Sequence, residues 1–394
     1  RPGGRPRVRA GMADPKPTPE AIRLSASVDA AAVRLAALRT EVQRAETAEA
    51  LARLRLGEAL VEALCARSVA EARLRASHFD RYRTAALGLR RPDRRNRLRR
   101  LAEKALARFG GPGRALVRAR AALGAGVALF DPDHYRASVP GPVGADPLAH
   151  YLVWGGDAHL SPHSLFDSRF YADRNADALA RTGLTPLDHF LREGAADGRD
   201  PHPLFSLEWY VSQAPELAAT GENPVLHYLR SGAARGLSPH PLFDPAWVRE
   251  GGGDLVWYLT EGWRQGASPH PLFDPAWRRV SGLDTGQAEP LARFVLTAKD
   301  TLESPGPLFN SETYAQARGE AMDPAKDPLS DYLAGGAWAV LGPEGLHPAL
   351  AILDDPEAIR SGMTPAEALA RRSGAATQLA PDLGVIVGDV VERA

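Results

Sequence analysis

Ser238-Pro-His-Pro-Leu-Phe-Asp-Pro-Ala-Trp247 returns letter for letter as Ser268-Pro-His-Pro-Leu-Phe-Asp-Pro-Ala-Trp277. Weaker copies place the aromatic of this phrase at Phe130, Phe166, Phe205, Phe243, Phe273 and Phe309, with Leu350 in a seventh place. Spacings of 30 to 41 residues mark a repeat array, in which each unit is one supersecondary element stacked on its neighbours. A residue that recurs in every copy is then explained by packing before it is explained by chemistry.

A second phrase sits midway in each copy: Pro147-Leu-Ala-His-Tyr-Leu152, Pro186-Leu-Asp-His-Phe-Leu191, Pro224-Val-Leu-His-Tyr-Leu229, and more loosely Asp254-Leu-Val-Trp-Tyr-Leu259 and Pro328-Leu-Ser-Asp-Tyr-Leu333. Asp146, Thr185, Asn223, Glu289 and Asp327 precede prolines. That is an N-cap acceptor followed by proline at the first helical position, where a missing N–H costs nothing. Gly155, Gly194, Gly232, Gly262 and Gly335 follow about two turns later and are expected to close the helix in left-handed conformation. The opening phrase has the same grammar, with Asp131, Asp167, Asp244, Asp274 and Asn310 as caps. Each unit therefore reads as two short helices that bury their Tyr, Phe, Trp and Leu only when stacked.

Residues 21–89 differ in kind. No proline interrupts them, and Leu24, Val28, Ala31, Leu35, Leu38, Val42 and Ala45 alternate spacings of four and three, a heptad seam. Beyond Ala45 the phase slips into a broader stripe through Leu51, Leu54, Leu60, Val61 and Leu64. A long amphipathic helix is expected, and self-association through residues 21–89 is its sharper form. The alanines on the seam bury little area and weaken that second reading. The expected fold class is all-α: a long N-terminal helix or coiled-coil arm, then about six helix-pair repeats. Residues 1–20 read as a tail, 90–129 as an Arg-rich linker with short helices, 130–350 as the array, and 351–394 as a helix at Thr364–Arg372 with a strand at 383–387 opening a further domain. Met12-Ala-Asp-Pro-Lys reads as a polar start, which puts the native standing of residues 1–11 in question.

The units from Phe130 to Phe273, such as 166–205 and 205–243, resemble the short helical repeats that accompany glycosyltransferases of bacterial surface polysaccharide biosynthesis. The resemblance covers about half of the chain, and its motifs identify the repeat and no reaction. The copies beyond Phe273 depart from the pattern, with Arg293 or Asp331 where His is expected. The resemblance implies company with carbohydrate-polymer machinery, as partner protein or glycan, and carries over no catalytic residue.

Charge divides the chain. Residues 1–129 hold an excess of sixteen basic residues and the remainder an equal acidic excess, so the net charge of zero is a cancellation. Arg90, Arg91, Arg94, Arg95, Arg97, Arg99 and Arg100 are the densest run and a candidate anion site. No aromatics interleave them as stacking on single-stranded nucleic acid requires, so neutralising the acidic region is the favoured role and nucleic acid a minor alternative. Ten of the eleven histidines lie beyond residue 129. His150, His189 and His227 belong to the second helix, and His163, His202, His240, His270 and His347 to the Pro-His-Pro type of turn. They recur about one unit apart, whereas zinc ligands pair at short spacing, so a structural ring bonded to a backbone carbonyl at each junction is expected and no metal. Phe166, Phe205, Phe243 and Phe273 are expected in the core. Cys65 is single, which excludes an intramolecular disulfide.

No glycine-rich phosphate loop or nucleophile elbow is present in the sequence, and no cofactor is expected. No apolar run reaches the length of a membrane span, and the expected location is the cytoplasm or the periphery of the inner membrane. The function these features imply is a non-catalytic scaffold of the polysaccharide machinery. The alternatives are an acceptor-positioning portion of a glycosyltransferase whose catalytic residues lie elsewhere, or binding of nucleic acid or an anionic surface through the arginines.

Overall fold

The computed structural model describes residues 19–89, 124–250, 253–286, 288–338, 352–353 and 355–374. Among these residues the regular elements are helices and helical turns, with isolated bridges of the His163 to Phe166 kind and no strand. The chain is all-α. Contacts divide it into two units, residues 1–59 and residues 60–394.

One helix, α1, runs over Pro19–Gly88. In the first unit its seam residues Leu24, Val28, Leu35, Leu38 and Val42 are 51 to 69% exposed. In the second unit Leu64, Tyr82 and Ala86 are buried, and Leu60, Val61, Cys65 and Phe79 pack beside them. Polar contacts fix this segment at both ends. Cys65 Sγ donates to the Trp338 carbonyl at 3.2 Å and Ser68 Oγ to that of Ala334 at 3.2 Å. Arg67 reaches the carbonyls of Ile359 and Arg360. Near the other end the Arg75 guanidinium lies over Trp209, and Phe79 fills the space beside Gly198. The stripe that falls out of heptad phase in the sequence therefore includes the side chains that pack on other helices.

The first helices of the pairs are Pro132–Ser138, Ser168–Arg174, Leu207–Gln213, Pro245–Glu250, Pro275–Val280 and Ser311–Arg318. The expected caps hold. The side chains of Asp131, Asp167, Asp274 and Asn310 accept from free N–H groups of the first turn, and Asp244 does the same for Ala246 and Trp247. The second helices open at Pro147–His150, Pro186–His189, Pro224–His227, Leu255–Trp257, Pro290–Thr301 and Pro328–Leu333. Their caps hold as well, except that the Thr185 side chain makes no capping bond.

The first four second helices continue as wider π turns, Tyr151–Gly155, Phe190–Gly194, Tyr228–Gly232 and Tyr258–Gly262. Their closing glycines are not left-handed, contrary to the expectation; in the second to fourth pairs that conformation belongs to Gly198, Gly236 and Gly266, four residues later. In the first three pairs a Cβ on the closing glycine would overlap the hydroxyl oxygen of Tyr135, Tyr171 or Tyr210. Glycine stands there for space, not for backbone conformation.

Among the described residues five junctions are stitched the same way. The backbone N–H of Asp131, Asp167, Ser206, Asp244 and Asp274 donates to the carbonyl of Pro162, Pro201, Pro239, Pro269 and Pro305 at 2.9 to 3.0 Å. Ser161 Oγ, Asp200 Oδ1 and Ser304 Oγ accept the N–H at the first helical position, from Ser168, Leu207 and Ser311. Where proline stands at that position no N–H exists. Ser238 and Ser268 there turn their hydroxyls to the carbonyls of the nearby His and Phe instead. A seventh pair, Pro356–Ser361 and Pro365–Gly374, follows the sixth. The expected helix at Thr364–Arg372 is its second member, opened by reciprocal bonds between Thr364 and Glu367, the capping-box arrangement.

Candidate functional site

The histidines of the second helices lie against the tyrosines of the first. Tyr135 Oη is 2.8 Å from His150 Nδ1, Tyr171 Oη 2.7 Å from His189 Nδ1, and Tyr210 Oη 2.7 Å from His227 Nδ1. In the sixth pair Tyr314 donates to Asp331 Oδ2 at 2.6 Å, since an ionised carboxylate only accepts. The same direction in the other pairs leaves the proton on Nε2. Consistent with this, His227 Nε2 faces the Glu216 carboxylate at 3.2 Å, and that carboxylate also pairs with Arg235. Burial holds the tyrosine hydroxyls well above their ordinary range and pushes His189 down. Phe166, Phe205 and their equivalents enclose these tyrosine–histidine contacts at ring distances of 5.3 to 5.8 Å.

The fifth pair uses different chemistry at the same two positions. Arg278 stands for the tyrosine and Arg293 for the histidine. Arg278 is fully buried between the rings of Phe273 and Phe294, and bonds Asp284 at 2.7 Å, Glu303 at 2.7 Å and the Ser304 carbonyl at 2.6 Å. Arg293 bridges the same two carboxylates. Two cations face two anions, the pairing a buried charge requires. No tyrosine hydroxyl presses on the glycine position here; it holds Ala298, and the helix stays α-helical throughout. In the fourth pair Val248 and Trp257 occupy the two positions, and the Trp257 ring lies against Gly253 and Gly262.

The turn histidines are also committed, though not to a carbonyl as expected. The Nδ1 atoms of His163, His202, His240 and His270 accept the N–H of Leu165, Leu204, Leu242 and Leu272 at 3.0 to 3.2 Å. The reason is local: the tight turn leaves the N–H two residues on without a backbone partner, and the ring supplies one. Burial lowers His163 and His202 to about 4 and His240 to about 3, with the neighbouring His202 and His270 adding to the depression of His240. His270 directs Nε2 at Glu367 of the seventh pair, 3.5 Å away. Among the described residues no group of three or more His, Cys, Asp or Glu is placed to hold a metal.

Aromatic surface is sparse. Trp154 is 55% exposed, while Trp338 is buried and Trp247, Trp257, Trp263 and Trp277 are half-buried. Trp209 and Trp247 donate their indole N–H to Ser238 and Ser268. An open groove of about 740 Å³ is lined by Arg73, Ala76, Ser77, Asp80, Arg81, Thr84 and Ala85 of α1 and by Ala218. No helix of the described residues is long and apolar enough to cross a membrane. Arg90, Arg91, Arg94, Arg95, Arg97, Arg99 and Arg100 lie outside the described residues, as do His347, Leu350 and the strand expected at 383–387.

The sequence singled out the histidines and missed their partners. The signal was present: the residue five after each phrase-opening Phe runs Tyr, Tyr, Tyr, Val, Arg, Tyr while the histidine position runs His, His, His, Trp, Arg, Asp. Two columns that change together are in contact. Comparison with profiles of protein families, with curated proteins and with solved structures gave no match.

Proposed function

We propose that the chain is a non-catalytic scaffold: an array of stacked helix pairs that presents a binding surface, joined to a helical arm that serves association. The observation that carries this reading is the fate of the groups catalysis would need. The recurring histidines are held in the turns or against tyrosines, and the buried arginines are neutralised in place. A general base needs a free acceptor within reach of substrate, and here Nδ1 is spent at each of the seven recurring histidines among the described residues, His150, His163, His189, His202, His227, His240 and His270. Nearest-neighbour stacking of unlike pairs also suits a surface that varies along its length while its frame is kept.

Association with the machinery of surface polysaccharide synthesis rests on the resemblance of the Phe130–Phe273 units, and Trp154 is the residue through which a sugar ring would stack. The test is affinity capture of the full tagged chain from its native host, with mass spectrometry of the proteins retained, alongside calorimetric titration with nucleotide sugars. Recovery of polysaccharide-assembly enzymes without nucleotide-sugar binding is expected. Binding of a nucleotide sugar by the chain alone would instead place it among the transferases.

A further inference from the structure

The exposed seam of α1 in the first unit carries two patterns that no single helix needs. With Leu24, Ala31, Leu38 and Ala45 at one core position of the heptad and Val28, Leu35 and Val42 at the other, Arg34 and Glu41 flank the seam on one side, and Arg39 and Glu46 on the other. All of these side chains are exposed. Flanking charges choose partner and orientation in a coiled coil. In a parallel, in-register pair each Arg34 would meet Arg39 of the second copy, and each Glu41 would meet Glu46. Ala31 and Ala45 would also face themselves and leave gaps at two layers.

Reversing one helix about a two-fold axis between Ala36 and Ala37 removes both conflicts. Arg34 then faces Glu41 of the second copy twice, by symmetry, and no like charges meet. The layers become Val28 on Ala45, Ala31 on Val42 and Leu35 on Leu38, large against small and then large against large at the centre, with Leu24 beside Glu49 only at the two open ends, where the carboxylate stays in water. Sliding the pair by one heptad either way brings Arg34 onto its own copy, or Arg39 and Glu41 onto theirs. Charge and volume therefore select one register independently.

We infer that the segment from Leu24 to Glu49 is an antiparallel homodimerisation helix, whose occupant is the same segment of a second copy. This rests on the arm being an association element and is independent of what the helix pairs bind. A C2 contact is self-complementary, and the Arg34–Glu41 exchange meets that condition.

Sedimentation equilibrium on the full chain tests it, using Arg34→Glu and Glu41→Arg, both at exposed positions that folding does not depend on. The wild type is expected to dimerise. Each variant alone is expected to dimerise about ten-fold more weakly, because two attractive pairs become repulsive. An equimolar mixture of the two variants is expected to restore wild-type dimerisation. In the mixed dimer the introduced glutamate of one chain meets the introduced arginine of the other, and the unchanged Glu41 and Arg34 meet as before. A monomeric wild type at tens of micromolar would overturn the inference. So would tighter association of Arg34→Glu alone, which a parallel pair requires through contact of the introduced glutamate with Arg39, and so would a dimer indifferent to both changes.

Discussion

The Tyr171–His189–Gly194 set is the smallest unit of this fold and illustrates how three residue types constrain each other. The hydroxyl fills the place a glycine Cβ would take and finds its acceptor on the imidazole beside it. Tyr171→Phe leaves a buried Nδ1 without a donor, a loss of about 1–3 kcal/mol, measurable as a lower urea midpoint. Gly194→Ala should cost more despite the better helix propensity of alanine, because the new methyl overlaps the Tyr171 hydroxyl. Combining the two substitutions should recover part of that cost, since removing the hydroxyl opens the space. If Gly194→Ala proves stabilising on its own, the steric account fails. The histidine was legible from its recurrence alone. Its role was legible only in part, because the sequence does not say which atom the ring faces.

At the scale of elements, the helices were largely written in their capping residues: an Asp or Asn before a proline sets a start that local hydrogen bonding alone enforces. The π turns and the docking of α1 were not, because both depend on what lies opposite. Gly221 marks one such place. It is left-handed at φ 64°, and a Cβ there would lie 2.9 Å from the Ala86 nitrogen and 3.0 Å from the Ala85 carbonyl carbon. Backbone atoms of a helix cannot yield as a flexible side chain does. Gly221→Ala should therefore strain its own turn by about 1–2 kcal/mol and push the end of α1 away. Amide exchange of Tyr82 through Ala86 is expected to accelerate, while that of the Tyr171–His189 pair stays unchanged. Uniform acceleration across both would mean that α1 and the helix pairs unfold as one cooperative unit.

For the molecule as a whole, buried imidazoles couple stability to pH. His163, His202 and His240 have folded-state values of about 4, 4 and 3, below the 6.5 of an exposed ring, so the unfolded chain binds their protons first. Their contribution is complete above pH 6.5 and is lost as the pH falls through about 4, by about 1.4 kcal/mol per histidine for each unit. Asp200 and Glu289, raised by burial to about 6 and about 7, act in the opposite sense, stabilising below the ordinary carboxylate range and losing that effect as the pH rises through those values. His134 and His189 are depressed as well and Asp327 is raised; the histidines outweigh the carboxylates, and the urea midpoint is expected to fall between pH 6.5 and pH 4.5. His240→Asn should flatten that slope, because an amide oxygen can accept the Leu242 N–H without titrating; a midpoint constant over the range would show that the rings are hydrated. By itself the sequence determined the helical class and most helix starts, because those follow from residue spacing and from bonds made within a few residues. Only the tertiary structure decided that Gly155, Gly194 and Gly232 make room for a hydroxyl, that Arg278 and Arg293 replace tyrosine and histidine around Asp284 and Glu303, and that α1 beyond Leu60 packs on distant helices. Those outcomes depend on volume and charge brought together from far along the chain, where no local pattern records which side chains will meet.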